Sequence, residues 1–172
     1  LEETEVEVHF TPTWMNSYFS NKKLQTFFEQ KKTSQFLNEK VLPNGRKINV
    51  PTPEVNRIFL LVHIYRHLFD EGVGLRQLVD YYYLLKQGTS EAEKQQTLHL
   101  LKKLKMKRFA AAVMYILQEV LGLEDNYLLT APDAKAGEFL LEEIMEAGNF
   151  GHYDMRVVKA KNENRWERFL RK

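Results

Sequence analysis

The segment that most constrains the fold is residues 53–71, because apolar side chains surround nearly all of the helix that it predicts. Thr52 is a good N-cap, Pro53 suits the first helical position and Glu54 suits the positive end of the helix dipole. Gly72 is a typical helix end. A helix that is apolar on almost every side has to be covered by other elements. The sequence therefore predicts a protein built around this helix.

Further helices are predicted on both sides of this central segment. Ser90 followed by Glu93 has the capping-box pattern of a helix start. The other predicted helices cover residues 21–37, 75–86, 107–121, 133–147 and 161–172. The predicted fold class is mainly α: a helical bundle of about six to seven helices with an N-terminal strand and a short β-hairpin, taken from a larger α+β protein.

A strand is predicted over residues 4–10, where apolar and polar side chains alternate with period two. Glu7 and His9 share its polar face, and the pattern alone favours an exposed face. A lone strand is not stable, and the chain starts at Leu1 rather than at a methionine. We therefore expect a fragment whose upstream sheet domain belongs to the same polypeptide.

The hairpin and the domain boundaries follow from shorter signals. Asn44-Gly45 between two extended runs predicts a type I′ turn. We expect three regions: residues 1–12 as a residual strand, residues 13–155 as the helical domain, and residues 156–172 as a basic C-terminal helix or tail.

Composition excludes several classes of protein. Hydrophobic residues make up 44% and charged residues 28%, as in an ordinary globular domain. The chain has no cysteine, which excludes disulfides and favours a cytoplasmic location. No apolar run approaches the roughly 20 residues that span a bilayer. The formal net charge of +2 gives no reason to expect a nucleic-acid partner, and the basic run at residues 102–108 is interpreted as a solvated helix face.

Two groups of polar residues on predicted helices are candidates for binding. His63 and His67 lie one turn apart on the buried helix, with Arg66 between them. This spacing occurs in metal sites, although two histidines do not complete one, and a hydrogen-bonded pair lining a polar pocket is the alternative. Arg76 and Asp80 are also one turn apart.

Two weaker patterns remain open. Arg57 and His63 have the Arg-x5-His spacing of a family of helical ribonucleases, but Ile58 stands where those sites carry a polar residue. The run Tyr81-Tyr82-Tyr83 could stack on a base, although such a run more often packs in a core with hydrogen-bonded tips.

Three short segments together resemble the uncharacterised nucleotidyltransferase family. They are Val6-Glu-Val-His-Phe10, Leu61-Val-His-Ile-Tyr-Arg-His67 and Leu75-Arg-Gln-Leu-Val-Asp80, in that family's order. The resemblance covers residues 5 to about 150. It implies transfer of a nucleotidyl group from a nucleoside triphosphate to an unknown acceptor, with magnesium held by carboxylates.

The resemblance also implies roles for individual residues. Glu7 matches the third metal-holding carboxylate, which is also catalytic. His9, His63, Arg66, His67, Arg76 and Asp80 would face the nucleotide or the acceptor. The Gly-Ser and paired-aspartate motif of the superfamily is absent from this sequence. We therefore expect a helical, acceptor- or nucleotide-binding portion that is inactive alone. The alternative is a non-enzymatic helical protein-interaction module.

Overall fold

The computed structural model describes residues 11–70 and 73–147, which form a helical bundle with one hairpin. Its elements in chain order are α1 (Tyr18–Leu37), β1 (Glu39–Val41), β2 (Lys47–Asn49), α2 (Pro53–Asp70), α3 (Leu75–Lys86), α4 (Glu91–Lys103), α5 (Lys107–Glu119) and α6 (Ala134–Ala147), with a short 3-10 turn at Asp125–Tyr127. The mainly helical class is confirmed. The predicted strand at residues 4–10 and the predicted helix at residues 161–172 lie outside the described residues.

Helix α2 packs into the bundle, but the prediction that it is covered on almost every side is wrong, because Phe59, Leu60, Tyr65 and Phe69 are only partly buried. It packs against α3 and α4, while α5 packs against α3, α4 and α6. The apolar side chains that α2 buries are Val55, Ile58, Leu61, Val62, Ile64 and Leu68. Although α2 is so apolar, no helix in the described ranges is long and apolar enough to cross a membrane.

The predicted helix start at Ser90 is confirmed by its capping hydrogen bonds, whereas α1 begins at Tyr18 rather than at the predicted residue 21. The main-chain N–H of Glu93 donates to Ser90 Oγ at 3.3 Å, and the N–H of Ser90 donates to Glu93 Oε2 at 3.0 Å. The N–H of Ala136 donates to Asp133 Oδ1 at 3.0 Å. These bonds satisfy main-chain donors that a helix start leaves without an internal partner.

The predicted type I′ turn is wrong, although the hairpin exists. Gly45 has a φ of +79°, but Asn44 does not share a positive φ, which a type I′ turn requires at both positions. The N–H of Gly45 donates to the carbonyl of Leu42 at 2.9 Å, so the turn starts one residue earlier. Pro43 explains the shift, because its ring holds φ near −65° and suits the first inner position of an ordinary turn.

The basic run at residues 102–108 is exposed but does not form one helix face. Helix α4 ends at Lys103, and α5 begins at Lys107. Between them Lys105 adopts a φ of 62°, which breaks the helical path. The basic residues of this run therefore belong to two helices and to the link between them.

Candidate functional site

A row of rings on one side of α2 contains the two predicted histidines. The ring centroids of His63 and His67 lie 4.2 Å apart, with an edge-to-face angle of 69°. The ring of Phe59 stacks on His63 from the preceding turn, at 5.5 Å. His63, Arg66 and His67 are all partly exposed. The structure therefore brings these three candidates together, as their spacing predicts.

Arg66 extends this cluster toward the segment that precedes α1. Its guanidinium carbon lies 5.3 Å from the centre of the Trp14 ring, a cation–π contact. The segment is fastened to α1, because Gln25 Nε2 donates to the Thr13 carbonyl at 2.9 Å. Nothing in the sequence predicts the role of Trp14, since the contact joins residues far apart in the chain. The segment leading from residues 1–10 thus reaches the histidine side of α2.

Arg76 and Asp80 lie on α3, where both side chains are exposed. Their predicted proximity does not produce an ion pair, and Asp80 forms no ion pair with any residue in the ranges that the structure describes. Both groups are therefore presented to solvent rather than held by each other. Glu7 and His9 lie outside the described residues.

A polar cluster that the sequence did not predict lies inside the bundle. Arg57 is 1% exposed, and its Nη2 lies 3.0 Å from Glu93 Oε1. The Nη1 of the same group donates to Thr89 Oγ1 at 3.5 Å. Hydrogen bonds from the side chain and the main chain of Ser90, and then from Arg57, lower the pKa of Glu93 to about 2. Arg57 therefore ties α2 to α4, and its burial argues against the ribonuclease hypothesis.

The three consecutive tyrosines have different environments. Tyr81 is buried, and burial raises the pKa of its phenol while the nearby Arg57 opposes the rise. Its hydroxyl has no hydrogen-bond partner among the described residues, so the expected hydrogen-bonded tip is not seen there. Tyr82 is partly exposed, and Tyr83 is 65% exposed. The base-stacking hypothesis therefore has one fully presented ring, that of Tyr83.

A groove of about 530 Å³ lies between α1 and α4, away from the predicted site. The groove is lined by four lysines, Lys22, Lys23, Lys31 and Lys103. Its apolar wall is formed by Phe27, Ile58 and Leu100. Sequence analysis missed it, because its two sides come from helices that are about 80 residues apart in the chain. The groove is a second concave surface, and none of its lining residues belongs to the histidine cluster.

The metal implied by the family resemblance is not matched by the described part of the chain. No group of three His, Asp or Glu side chains that could share a metal ion occurs in residues 11–70 and 73–147. His63 and His67 alone are two ligands of the wrong kind for magnesium, which prefers oxygen. No chemical step is therefore derived through a metal from these residues.

Comparison with known proteins gives one match. The model of an uncharacterised nucleotidyltransferase family matches residues 1–122, a range that includes the three segments of the resemblance and ends before α6. No curated protein and no solved structure matches the chain. The matched range is well over half of the sequence. The chain therefore belongs to the uncharacterised nucleotidyltransferase family.

Proposed function

We propose that this chain is the helical portion of a nucleotidyltransferase that binds the nucleotide or the acceptor, and that it does not turn over by itself. The observation that carries the proposal is the cluster of His63, Arg66 and His67 on a partly exposed side of α2. Family membership supports the reaction type. The missing Gly-Ser and paired aspartates support the inactivity, because phosphoryl chemistry needs its charge neutralised.

In this proposal the helical residues hold anionic groups of the substrates. Arg66 keeps a positive charge at every physiological pH, and the imidazoles of His63 and His67 donate hydrogen bonds. Arg76 adds an exposed guanidinium that can grip a phosphate with two parallel hydrogen bonds. Asp80 is available to accept a hydrogen bond from a sugar or acceptor hydroxyl.

Glu7 is proposed as the metal-holding and catalytic carboxylate, with His9 beside it on the substrate side. Only seven positions separate Glu7 from Trp14, which contacts the histidine side of α2. Magnesium would neutralise phosphate charge there, together with acids from an upstream sheet domain. The absence of cysteine favours a reducing compartment, and we propose the cytoplasm.

The test is made on the whole polypeptide that carries this chain, with labelled nucleoside triphosphates and a cell extract as the source of acceptor. We expect Glu7→Gln to lower nucleotidyl transfer at least about a hundredfold, since one transition-state interaction is removed. Glu119→Gln is the matched control, because Glu119 is exposed on α5. Unchanged transfer by the Glu7 variant would contradict the proposal.

The substrate-binding role is tested separately on the chain itself by titration calorimetry with magnesium nucleotides. We expect Arg76→Ala to weaken binding of the preferred nucleotide about tenfold, and the control Arg46→Ala to leave it unchanged, since Arg46 is exposed in the turn between β1 and β2 rather than on α3. Equal affinities for both variants would remove Arg76 from the site.

A non-enzymatic interaction module is the second candidate, and an apolar surface near the hairpin favours it. Phe36 and Leu37 at the end of α1 are 66% and 77% exposed, and Val41 and Ile48 on the adjoining strands are exposed as well. Exposed apolar patches often mark protein interfaces. In that case Phe36→Ser abolishes capture of a partner protein, whereas Glu7→Gln has no effect.

A further inference from the structure

We propose that the groove between α1 and α4 binds a small phosphorylated molecule. Its volume of about 530 Å³ falls in the range of small-molecule sites, roughly 300–1,000 Å³. Lys22 and Lys23 reach it from α1, and Lys103 reaches it from the end of α4. The inference does not depend on nucleotidyl transfer, because none of the groove's lining residues belongs to the histidine cluster on α2.

The positive charge of the groove arises from the tertiary structure rather than from one helix surface. Lys23 Nζ donates to the main-chain carbonyl of Lys103 at 3.3 Å, so the lysine-bearing start of α1 lies against the end of α4. In the described ranges, neither Lys22 nor Lys103 forms an ion pair. Like charges brought together repel each other, and a bound anion relieves that repulsion.

One lysine of the groove is already neutralised, which defines where an anion binds. Lys31 Nζ lies 2.8 Å from Glu54 Oε1, so this end of the groove carries little net charge. The lysines that form no ion pair, Lys22 and Lys103, are at the other end of the groove. A phosphate therefore binds at that end, since lysine acts toward phosphate as a point charge.

The wall between the two ends suits the uncharged part of the same molecule. Phe27, Ile58 and Leu100 supply apolar surface, and the amides of Gln30 and Gln96 supply donors and acceptors. An apolar wall with a few polar groups is typical of small-ligand sites. A ligand that carries phosphate on a ring system fits this arrangement better than a bare anion does.

The experiment titrates three probes into the chain by calorimetry: inorganic pyrophosphate, ribose 5-phosphate and AMP. We expect binding of at least one probe, weakened about tenfold or more when Lys22→Gln and Lys103→Gln are combined. If AMP binds more tightly than the other two probes, the apolar wall contacts a base. If ribose 5-phosphate binds most tightly, the wall contacts a sugar. Equal affinities for all three probes mean that the wall contributes nothing and overturn the ring-bearing part of the proposal.

The matched control combines Lys102→Gln with Lys107→Gln, which removes the same charge from a neighbouring depression that shares Gln96 and His99 with the groove but contains neither Lys22 nor Lys103. We expect less than a twofold change in affinity for this variant.

Equal weakening by both double variants would mean diffuse surface attraction and would overturn the proposal. So would the absence of binding by all three probes at millimolar concentration. Circular dichroism of both double variants checks that the helices are intact.

Discussion

Glu93 has two roles in the bundle, one in capping a helix and one in an ion pair. Its carboxylate caps α4 through Ser90, and the same group neutralises the guanidinium of Arg57. Arg57 is almost completely buried, so its charge depends on this partner. A buried charge that loses its partner costs far more than an exposed one. The cost of breaking the pair therefore comes from the buried charge of Arg57. Glu93 is the more exposed partner, so it is the one to substitute.

We expect Glu93→Gln to lower the free energy of unfolding by about 2–3 kcal/mol, because Arg57 stays buried without an anion. Glutamine preserves the capping pattern, so the loss reports the ion pair rather than the helix start. Urea unfolding measures the change. Glu91→Gln, in the same exposed first turn, is the control and should change stability by less than about 0.5 kcal/mol. Similar losses in the two variants would show that Arg57 does not need Glu93.

The low pKa of Glu93 predicts a dependence of stability on pH. The pKa of Glu93 in the folded protein is about 2, below the ordinary value of 4.5, so folding favours the ionised form. This stabilisation is complete above pH 4.5 and is lost as the pH falls toward 2. We expect acid titration of Glu93→Gln to show a shallower loss of stability between pH 4.5 and 2 than the unchanged protein. An identical slope would contradict the assignment.

At the scale of elements, the close approach of α5 and α6 depends on one glycine. A Cβ built at Gly137 would collide with the side chain of Tyr115 on α5. Alanine is the better helix former by about 1 kcal/mol, so propensity alone predicts that Gly137→Ala stabilises the protein. Packing reverses that sign, because the two helices have to move apart.

We expect Gly137→Ala to destabilise the protein by about 1–3 kcal/mol, measured by thermal or urea unfolding. Lys135→Ala tests propensity without crowding, since Lys135 is exposed on the same helix, and should leave stability nearly unchanged. A stabilised Gly137→Ala variant would mean that α6 moves easily and that the contact is loose.

The elements that were predicted correctly are those whose signals are local. The caps at Thr52 and Ser90 act over three residues, and the apolar circumference of α2 is a property of one segment. The hairpin turn was misassigned because Pro43 and Asn44-Gly45 give competing local signals. The separate helix beginning at residue 107 is confirmed, but the positive φ at Lys105 could not be predicted, because nothing in the basic run marks it.

At the scale of the whole molecule, the candidate site also has features that local sequence signals predict and features that they do not. The shared face of His63 and His67 could be predicted, since it requires only helical spacing. The contact of Trp14 with Arg66 and the pairing of Arg57 with Glu93 could not, because those partners meet only after the helices pack. Long-range packing thus decides which charged groups are internal supports and which are available to a ligand.

The range of the family match and the physical unit of folding do not coincide, and this leads to a prediction about the whole molecule. The match ends at residue 122, whereas the core continues into α6, which packs on α5. The apolar side chains that α6 buries include Ala136, Phe139, Leu140 and Ile144. Each large one contributes about 1.5–3 kcal/mol, and their sum is comparable with a typical total stability of about 5–15 kcal/mol.

We therefore expect a version that ends at Gly122 to expose the apolar side of α5, bind a hydrophobic dye and lose its cooperative thermal transition. The full chain, measured beside it, should keep that transition. Leu140→Ala in the full chain should fall between the two, with a loss of about 2–5 kcal/mol from the cavity it leaves. If the shortened version is monomeric and unfolds cooperatively, then α6 is an accessory to the family's fold. If it collapses as expected, α6 completes the core that supports α2, and the histidine cluster depends on a helix that the family match does not include.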